Sequence, residues 1–149
     1  FEEDTAGVTS IRSLIKNTST SPTELSISND ATAVLPYSSG TTGLPKGTML
    51  SHYNLTANLL QARDLLLQED RTKGGKVLSP LPMFHIYAFM VSLMGNVWQG
   101  VPLVTMQAFD FPKFVGLIQE HKCTRTHIVP PIALGLAKLP FVDDFDLSS

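Results

Sequence analysis

The sequence predicts an α/β fold with a mainly parallel sheet and flanking helices. Short apolar segments rich in β-branched residues alternate along the chain with longer segments of helical periodicity. Parallel strands need crossover connections of about a dozen residues or more, and the intervening segments have that length. A length of 149 residues with 43% hydrophobic residues is enough for one buried core.

Composition excludes several classes of function. A formal net charge of -2 gives no electrostatic basis for binding nucleic acid. The apolar run 86–98 is shorter than the roughly 20 residues that span a bilayer, so no transmembrane segment is expected. Cys123 is the only cysteine and has no internal disulfide partner. The acidic start of the chain lacks the pattern of a signal peptide, so we expect an intracellular protein, cytoplasmic or peroxisomal.

Two segments are expected to precede the fold proper. Val8, Ile11, Leu14 and Ile15 have helical spacing, with Thr9 or Ser10 as the cap. Residues 17–28 are polar and without period, which is typical of a surface connector. We therefore predict a helix and connector over 1–28 and the main domain over 29–149.

Strands and helices alternate through the main domain. Ser51 and Asp110 are predicted N-caps, and Gly100 is a predicted C-terminal stop. The helix 85–99 is apolar on all sides and is expected to be buried. The predicted elements are strand 33–37, extended segment 48–50, helix 55–66, strand 77–81, helix 85–99, strand 101–106, helix 111–122, strand 126–129 and helix 132–139.

Residues 37–47 have the composition of a phosphate-binding loop. The segment reads Tyr-Ser-Ser-Gly-Thr-Thr-Gly-Leu-Pro-Lys-Gly. Its glycines permit positive φ and a close approach of backbone N–H groups to an anion, its hydroxyls add donors, and its lysine adds a cation. The candidate phosphate ligands are Ser38, Ser39, Gly40, Thr41, Thr42, Gly43 and Lys46.

Two alternatives compete with this interpretation. In a Walker A loop, the position of Pro45 would be glycine and that of Gly47 would be a Mg²⁺-binding Ser or Thr, so that motif does not match. By composition alone, a flexible Ser/Thr/Gly linker remains open.

The order of residues in this loop closely resembles the signature loop of the adenylate-forming enzymes. That superfamily includes acyl-CoA synthetases, the adenylation domains of peptide synthetases and beetle luciferases. The resemblance implies that the seven candidate residues bind ATP and that Lys46 also takes part in catalysis.

Residues 80–89 form a second chemical motif, Pro-Leu-Pro-Met-Phe-His-Ile-Tyr-Ala-Phe, where a predicted strand ends. Ligands of open α/β sheets bind beyond the carboxyl ends of strands. From the residues alone, His85 and Tyr87 could equally be packing residues. The motif resembles the acyl site of 4-coumarate:CoA ligases, which implies that His85 lies beside the substrate carboxylate, as a catalytic and substrate-binding residue, and that Tyr87 lines the acyl pocket.

The resemblance extends from about Ser28 to the end of the chain. Luciferases usually have His-His-Gly-Phe at the second motif, so His85-Ile86-Tyr87-Ala88 favours the ligase branch. Thr48 departs from the pattern, because relatives usually carry an apolar residue there. The Tyr-Gly-x-Thr-Glu motif, whose glutamate helps to hold Mg²⁺, and the mobile C-terminal domain are not found, so the chain resembles part of a large N-terminal domain.

The resemblance implies a parent that uses ATP, Mg²⁺ and CoA to convert an aromatic or fatty carboxylic acid to its CoA thioester through an acyl-adenylate. The alternatives are a catalytically silent nucleotide-binding or interaction fragment and a luciferase-like acyl-adenylating enzyme. Alone, the chain is expected to be inactive and to self-associate through apolar surface that missing segments of its parent would cover.

Two further clusters are not expected to bind metal. His121, Cys123 and His127 match no common zinc spacing. The acidic run 143–146 is expected to be a solvated turn.

Overall fold

The computed structural model describes residues 10–16, 24–39, 43–66 and 74–149. The helices are α1 Ile11–Lys16, α2 His52–Leu66, a π-helix Ala88–Met94 continuing into α3 Gly95–Gln99, α4 Phe111–His121, α5 Pro130–Lys138 and a 3-10 helix Pro140–Asp144. The strands are β1 Thr32–Val34, β2 Tyr37–Ser39, β3 Pro45–Gly47, β4 Leu50–Ser51, β5 Val77–Ser79, β6 Leu103–Thr105 and β7 Arg125–Thr126.

The central sheet is parallel and has the strand order β6-β5-β7. Leu78 of β5 pairs with Val104 of β6 and with Thr126 of β7. The π-helix and α3 connect β5 to β6, and α4 connects β6 to β7, so helical crossovers separate the parallel strands as predicted. The α/β fold class is therefore confirmed. The last strand is shorter than the predicted 126–129 and begins one residue earlier.

Two antiparallel pairs, β1–β4 and β2–β3, accompany the parallel sheet. The predicted single strand over 33–37 is wrong, because the structure divides it between β1 and β2. Pro36 lies at the division and has no N–H to donate to a strand ladder. Its carbonyl instead accepts a hydrogen bond from the N–H of Thr48 at 3.0 Å. This bond adds one hydrogen bond to the open end of the β2–β3 ladder.

Helix α2 begins at His52, three residues before the predicted start at 55, and Ser51 is its N-cap as predicted. The Ser51 Oγ accepts a bond from the N–H of Asn54 at 3.2 Å, and the Ser51 N–H donates to Asn54 Oδ1 at 3.0 Å. This reciprocal pair satisfies two backbone donors at the helix start, as a capping box does. Residues 67–73, which follow α2, lie outside the described residues.

The predicted helix 85–99 forms, and Gly100 ends it with φ of 67°. Its centre, however, is a π-helix, which the sequence did not predict. Ala88, Met90 and Ser92 are buried, but Val97 is 69% exposed. The prediction of burial on all sides is therefore wrong for the last turn, which has only one covered face.

Asp110 is the N-cap of α4, as predicted. Its Oδ1 accepts a hydrogen bond from the N–H of Lys113 at 2.8 Å, and Pro112 occupies the first turn, where no N–H is needed. The helix packs its apolar face against the parallel sheet and α5. The buried core cluster contains Leu78, Phe114, Val115, Ile118, Cys123, Ile132 and Val142.

Replacing Asp110 by alanine should destabilise the protein by about 1 kcal/mol, because one orphan backbone donor of α4 loses its acceptor. The free energy of unfolding from urea titration measures this loss. Asp110→Asn keeps the capping oxygen and should stay close to wild type. Equal losses for the two variants would show that the cap does not contribute through its hydrogen bond.

The two ends of the described chain are held by local hydrogen bonds. Ser10 caps α1, because its Oγ accepts from the N–H of Ser13 at 3.1 Å, and Val8 and Thr9 lie outside the described residues. Asp146 accepts from Ser148 and from the Lys122 ammonium at 2.9 Å. These bonds, first that of the Ser148 hydroxyl, hold the pKa of Asp146 well below its ordinary value. Both partners of the ion pair are exposed, so its contribution to stability is small.

Candidate active site

The predicted phosphate loop contains β2 and β3, which pair as an antiparallel hairpin. Ser38 lies opposite Lys46 across the pair, and Tyr37 lies opposite Gly47. Residues directly opposite in an antiparallel pair project to the same side, and successive residues alternate. The Ser38 hydroxyl and the Lys46 ammonium therefore share one face of the hairpin. Both side chains are exposed.

Gly43 lies two residues before β3 and has a φ of 99°, in the left-handed region that favours glycine. A Cβ at this position would meet nothing within 4 Å, so the surface above its backbone is open. Gly40, Thr41 and Thr42 lie outside the described residues. The described part of the loop thus offers a hydroxyl, a cation and an accessible positive-φ glycine, a set that fits a phosphate group.

On the other face of the hairpin, the ring of Tyr37 lies over Gly47. A Cβ built on Gly47 would lie 3.1 Å from the ring of Tyr37, so the aromatic ring covers the glycine backbone. A larger residue at this position would have to displace the ring. The close approach explains why the strand carrying Lys46 ends in glycine.

His85 and Tyr87 lie beyond the carboxyl end of β5, as predicted, in the turn that leads into the π-helix. The Nδ1 of His85 accepts a hydrogen bond from the N–H of Tyr87 at 3.2 Å, and the carbonyl of His85 accepts from the N–H of Phe89 at 2.9 Å. An Nδ1 that accepts places the proton of the neutral imidazole on Nε2. His85 is exposed, so it presents a hydrogen-bond donor to the solvent side.

The ring of Tyr87 lies edge-to-face against His127. Their centroids are 6.4 Å apart and their planes are 83° to each other. His127 directly follows β7, the neighbour of β5, and parallel strands bring their carboxyl ends to one edge of the sheet. The sequence reasoning considered His127 only as a metal ligand. The sequence predicted His127 inside the strand 126–129, and only the shorter strand β7 places it directly beyond a strand end.

A cleft of about 160 Å³ lies between segments that neighbour the two predicted halves of the site, and none of the predicted site residues lines it. On one side are residues 34–36, which lead into the hairpin strand β2, and on the other are residues of the His85 segment. The residues lining it are Val34, Leu35, Pro36, Met83, Phe84, Ile86 and Phe89. Within the described residues, no hydrogen bond joins Ser38 or Lys46 to His85 or Tyr87. The structure therefore brings residues 34–36 and the segment 83–89 to one cleft, and it shows no bond between the predicted site residues of the two halves.

Two other clefts flank the site. An apolar cleft of about 310 Å³ lies beyond the carboxyl ends of β5 and β7, between residues 80–82 and 129–132. A wider cleft of about 600 Å³ separates α2 from the start of the π-helix and contains none of the predicted site residues.

The described part of the chain has neither a cluster of three metal-ligating side chains nor a helix that could span a membrane. No group of three His, Cys, Asp or Glu side chains there is placed to hold a metal ion. Burial raises the pKa of the Cys123 thiol, which disfavours the thiolate that metal binding requires. None of the helices described is both long and apolar enough to cross a membrane.

Comparisons with known proteins agree with the predicted resemblance. The family model described as AMP-binding enzyme matches residues 2–149. The probable 4-coumarate--CoA ligase 2 of Dictyostelium discoideum is 48% identical over 118 residues, which are 79% of this chain and 21% of that protein. The 4-coumarate--CoA ligase 2 of Nicotiana tabacum is 44% identical over 131 residues, which are 85% of this chain and 23% of that protein. The chain thus spans less than a quarter of the length of these curated relatives.

Solved structures show the same relationship at the level of fold. The inhibitor-bound N-terminal domain of FACL13 from Mycobacterium tuberculosis superposes with a TM-score of 0.79 at 26% identity, covering 92% of this chain and 33% of that one. ATP-bound MatB from Rhodopseudomonas palustris superposes with a TM-score of 0.66 at 30% identity, covering 78% and 22%. Since the family model matches nearly the whole chain, the chain belongs to the AMP-binding enzyme family.

Proposed function

We propose that this chain is part of an ATP-dependent carboxylic acid:CoA ligase of the 4-coumarate:CoA ligase type. Such an enzyme joins a carboxylate to the α-phosphate of ATP, releasing pyrophosphate, and the thiol of CoA then displaces AMP to give a thioester. The observation that carries the proposal is that Ser38 and Lys46 lie opposite each other, both exposed, on one face of the β2–β3 hairpin. The names of the curated relatives support the same chemistry.

At the hairpin, Lys46 and the loop donors would bind the β- and γ-phosphates of ATP. In-line attack on the α-phosphate places negative charge on the departing pyrophosphate, and a cation already in position stabilises that charge in the transition state. The described residues supply Ser38, Gly43 and Lys46 for this role, whereas Ser39 projects to the opposite face of the hairpin and remains a ligand proposed from the sequence. Gly40, Thr41 and Thr42 remain proposed ligands from the sequence.

At the second half of the site, His85 would hold the carboxylate. The hydrogen bond from the Tyr87 N–H to Nδ1 fixes the tautomer, so Nε2–H is the group that donates to a substrate oxygen. Tyr87, 37% exposed, would form a wall for the rest of the acid. Holding a carboxylate near the phosphate loop lowers the entropy cost of the reaction between the two substrates.

Mg²⁺ would supply further charge neutralisation at the phosphates, and CoA would be the second substrate. The described residues contain no carboxylate cluster for the metal, so we assign no residue of this chain to it. Adenylation can be tested on the complete enzyme by acid-dependent exchange of pyrophosphate into ATP without CoA. Nucleotide binding with no exchange for any aromatic or fatty acid would favour a silent nucleotide-binding protein instead.

Tyr87→Ala in the complete enzyme should shift preference toward bulkier acids. Removing the ring empties part of the proposed pocket, and a change of a few methylenes in such a pocket is worth about 1–3 kcal/mol in relative kcat/KM. Rates of adenylation over a series of acids of increasing size measure the shift. Tyr53→Ala removes an exposed tyrosine of α2 and is the matched control. An unchanged order of preference in the Tyr87 variant would show that this ring only packs.

A further inference from the structure

We propose that His127 is a positioning residue for Tyr87 and thereby helps to determine which acids are accepted. The proposal rests on the function proposed above. The juxtaposition that carries it is the edge-to-face contact of the two rings, with centroids 6.4 Å apart and planes at 83°.

The backbone holds the two residues on different elements. Tyr87 precedes the π-helix and belongs to the crossover that leaves β5, whereas His127 follows β7, and β5 and β7 are hydrogen-bonded neighbours. The contact therefore spans two strand ends of one rigid sheet. The contact with His127 therefore positions the Tyr87 ring relative to the carboxyl edge of the sheet, where ligands of such folds bind.

Among the described residues, the only aromatic ring in contact with Tyr87 is that of His127. The Tyr87 side chain does not cap the helix that follows. Tyr87 occupies the residue before the π-helix and makes no capping hydrogen bond through its side chain. Its ring is 37% exposed, so one side faces open space, and its orientation depends on the packed side. His127 lies on that side, partly buried. The imidazole thus limits the orientations that Tyr87 can adopt.

The energetic scale of such a contact sets the expected effect. Aromatic pairs in this geometry contribute beyond simple burial, and the contribution corresponds to about two- to tenfold in an equilibrium. Loss of His127 should let the Tyr87 ring occupy several orientations. Planar aromatic acids depend on a fixed orientation of the Tyr87 ring. Their kcat/KM should therefore fall more than that of short or flexible aliphatic acids.

The first experiment compares His127→Ala with His127→Phe in the complete enzyme. We expect His127→Ala to reduce kcat/KM for planar aromatic acids about two- to tenfold relative to aliphatic acids, mainly through KM, because the ring acts on fit and not on bond formation. His127→Phe keeps an aromatic ring and should restore the wild-type ratio. His52→Ala, at an exposed histidine of α2, is the matched control. An unchanged ratio in His127→Ala, or a Phe variant that behaves like Ala, would overturn the proposal.

The second experiment needs no activity. Nuclear magnetic resonance of the histidine ring protons in the full chain should show His127 shifted by the ring current of Tyr87, and Tyr87→Leu should remove that shift. His127 resonances that do not move in this variant would refute the contact itself. If the wild-type enzyme adenylates no acid, the proposed function is wrong, and with it the role of His127 in acid selection. The resonances then still decide whether His127 contacts Tyr87.

Discussion

Lys46→Ala in the complete enzyme should slow adenylation by about tenfold to a thousandfold, the usual cost of losing one electrostatic contact to a developing charge. Lys46 lies opposite Ser38 on the hairpin, exposed and on the same face, where a phosphate can reach both groups. The loss should appear mainly in the maximal rate of pyrophosphate exchange, since the charge on the leaving group is greatest in the transition state.

Two further variants give this prediction its controls. Lys46→Arg keeps a cation but changes its shape and reach, so it should fall between wild type and alanine. Lys138→Ala removes an exposed lysine at the end of α5, distant in sequence from the hairpin, and should leave exchange unchanged. Exchange at the wild-type rate in Lys46→Ala would refute the assignment of the hairpin to phosphate.

Phe114→Ala should reduce the free energy of unfolding by about 3–5 kcal/mol, because it removes a large side chain from a close-packed core. Phe114 is 0% exposed and contacts the rings of Phe109 and Phe111, with centroids 5.8 and 5.9 Å away. Its helix α4 is the element that packs the core against β5. Loss of this ring weakens the support of the sheet whose carboxyl edge carries the site.

Denaturant titration with a matched exposed phenylalanine isolates that effect. Phe84 is 88% exposed, so Phe84→Ala should change stability by no more than about 0.5 kcal/mol. Comparable losses for the two substitutions would mean that the packing around α4 is not the main source of stability.

Local signals in the sequence were sufficient for the parallel part of the fold. The caps at Ser51 and Asp110 and the stop at Gly100 depend on bonds between residues close in the chain, so their residue types predict them. The alternation of apolar strands and helices likewise predicts a parallel sheet, because parallel strands require long crossovers, but the strand order β6-β5-β7 comes from the structure.

Other features depend on contacts between residues distant in the chain, which the periodicity of the sequence does not indicate. The π-helix has the same apolar pattern as an α-helix, and only packing against β5 and α2 distinguishes the two. The hairpin that pairs Ser38 with Lys46 crosses a loop whose composition also suits a linker. The contact between Tyr87 and His127 joins residues 40 positions apart, and it appears only when β5 and β7 lie side by side.

Product analysis of the complete enzyme decides whether this fold serves acid:CoA ligation. The purified protein would be incubated with ATP, Mg²⁺, CoA and 4-coumarate or a fatty acid, and the nucleotides and thioesters separated and identified by mass. We expect acyl-CoA, AMP and pyrophosphate in equal amounts, with no AMP formed when the acid is omitted. ADP and phosphate as the nucleotide products, or no thioester with any aromatic or fatty acid, would contradict the proposed ligase activity.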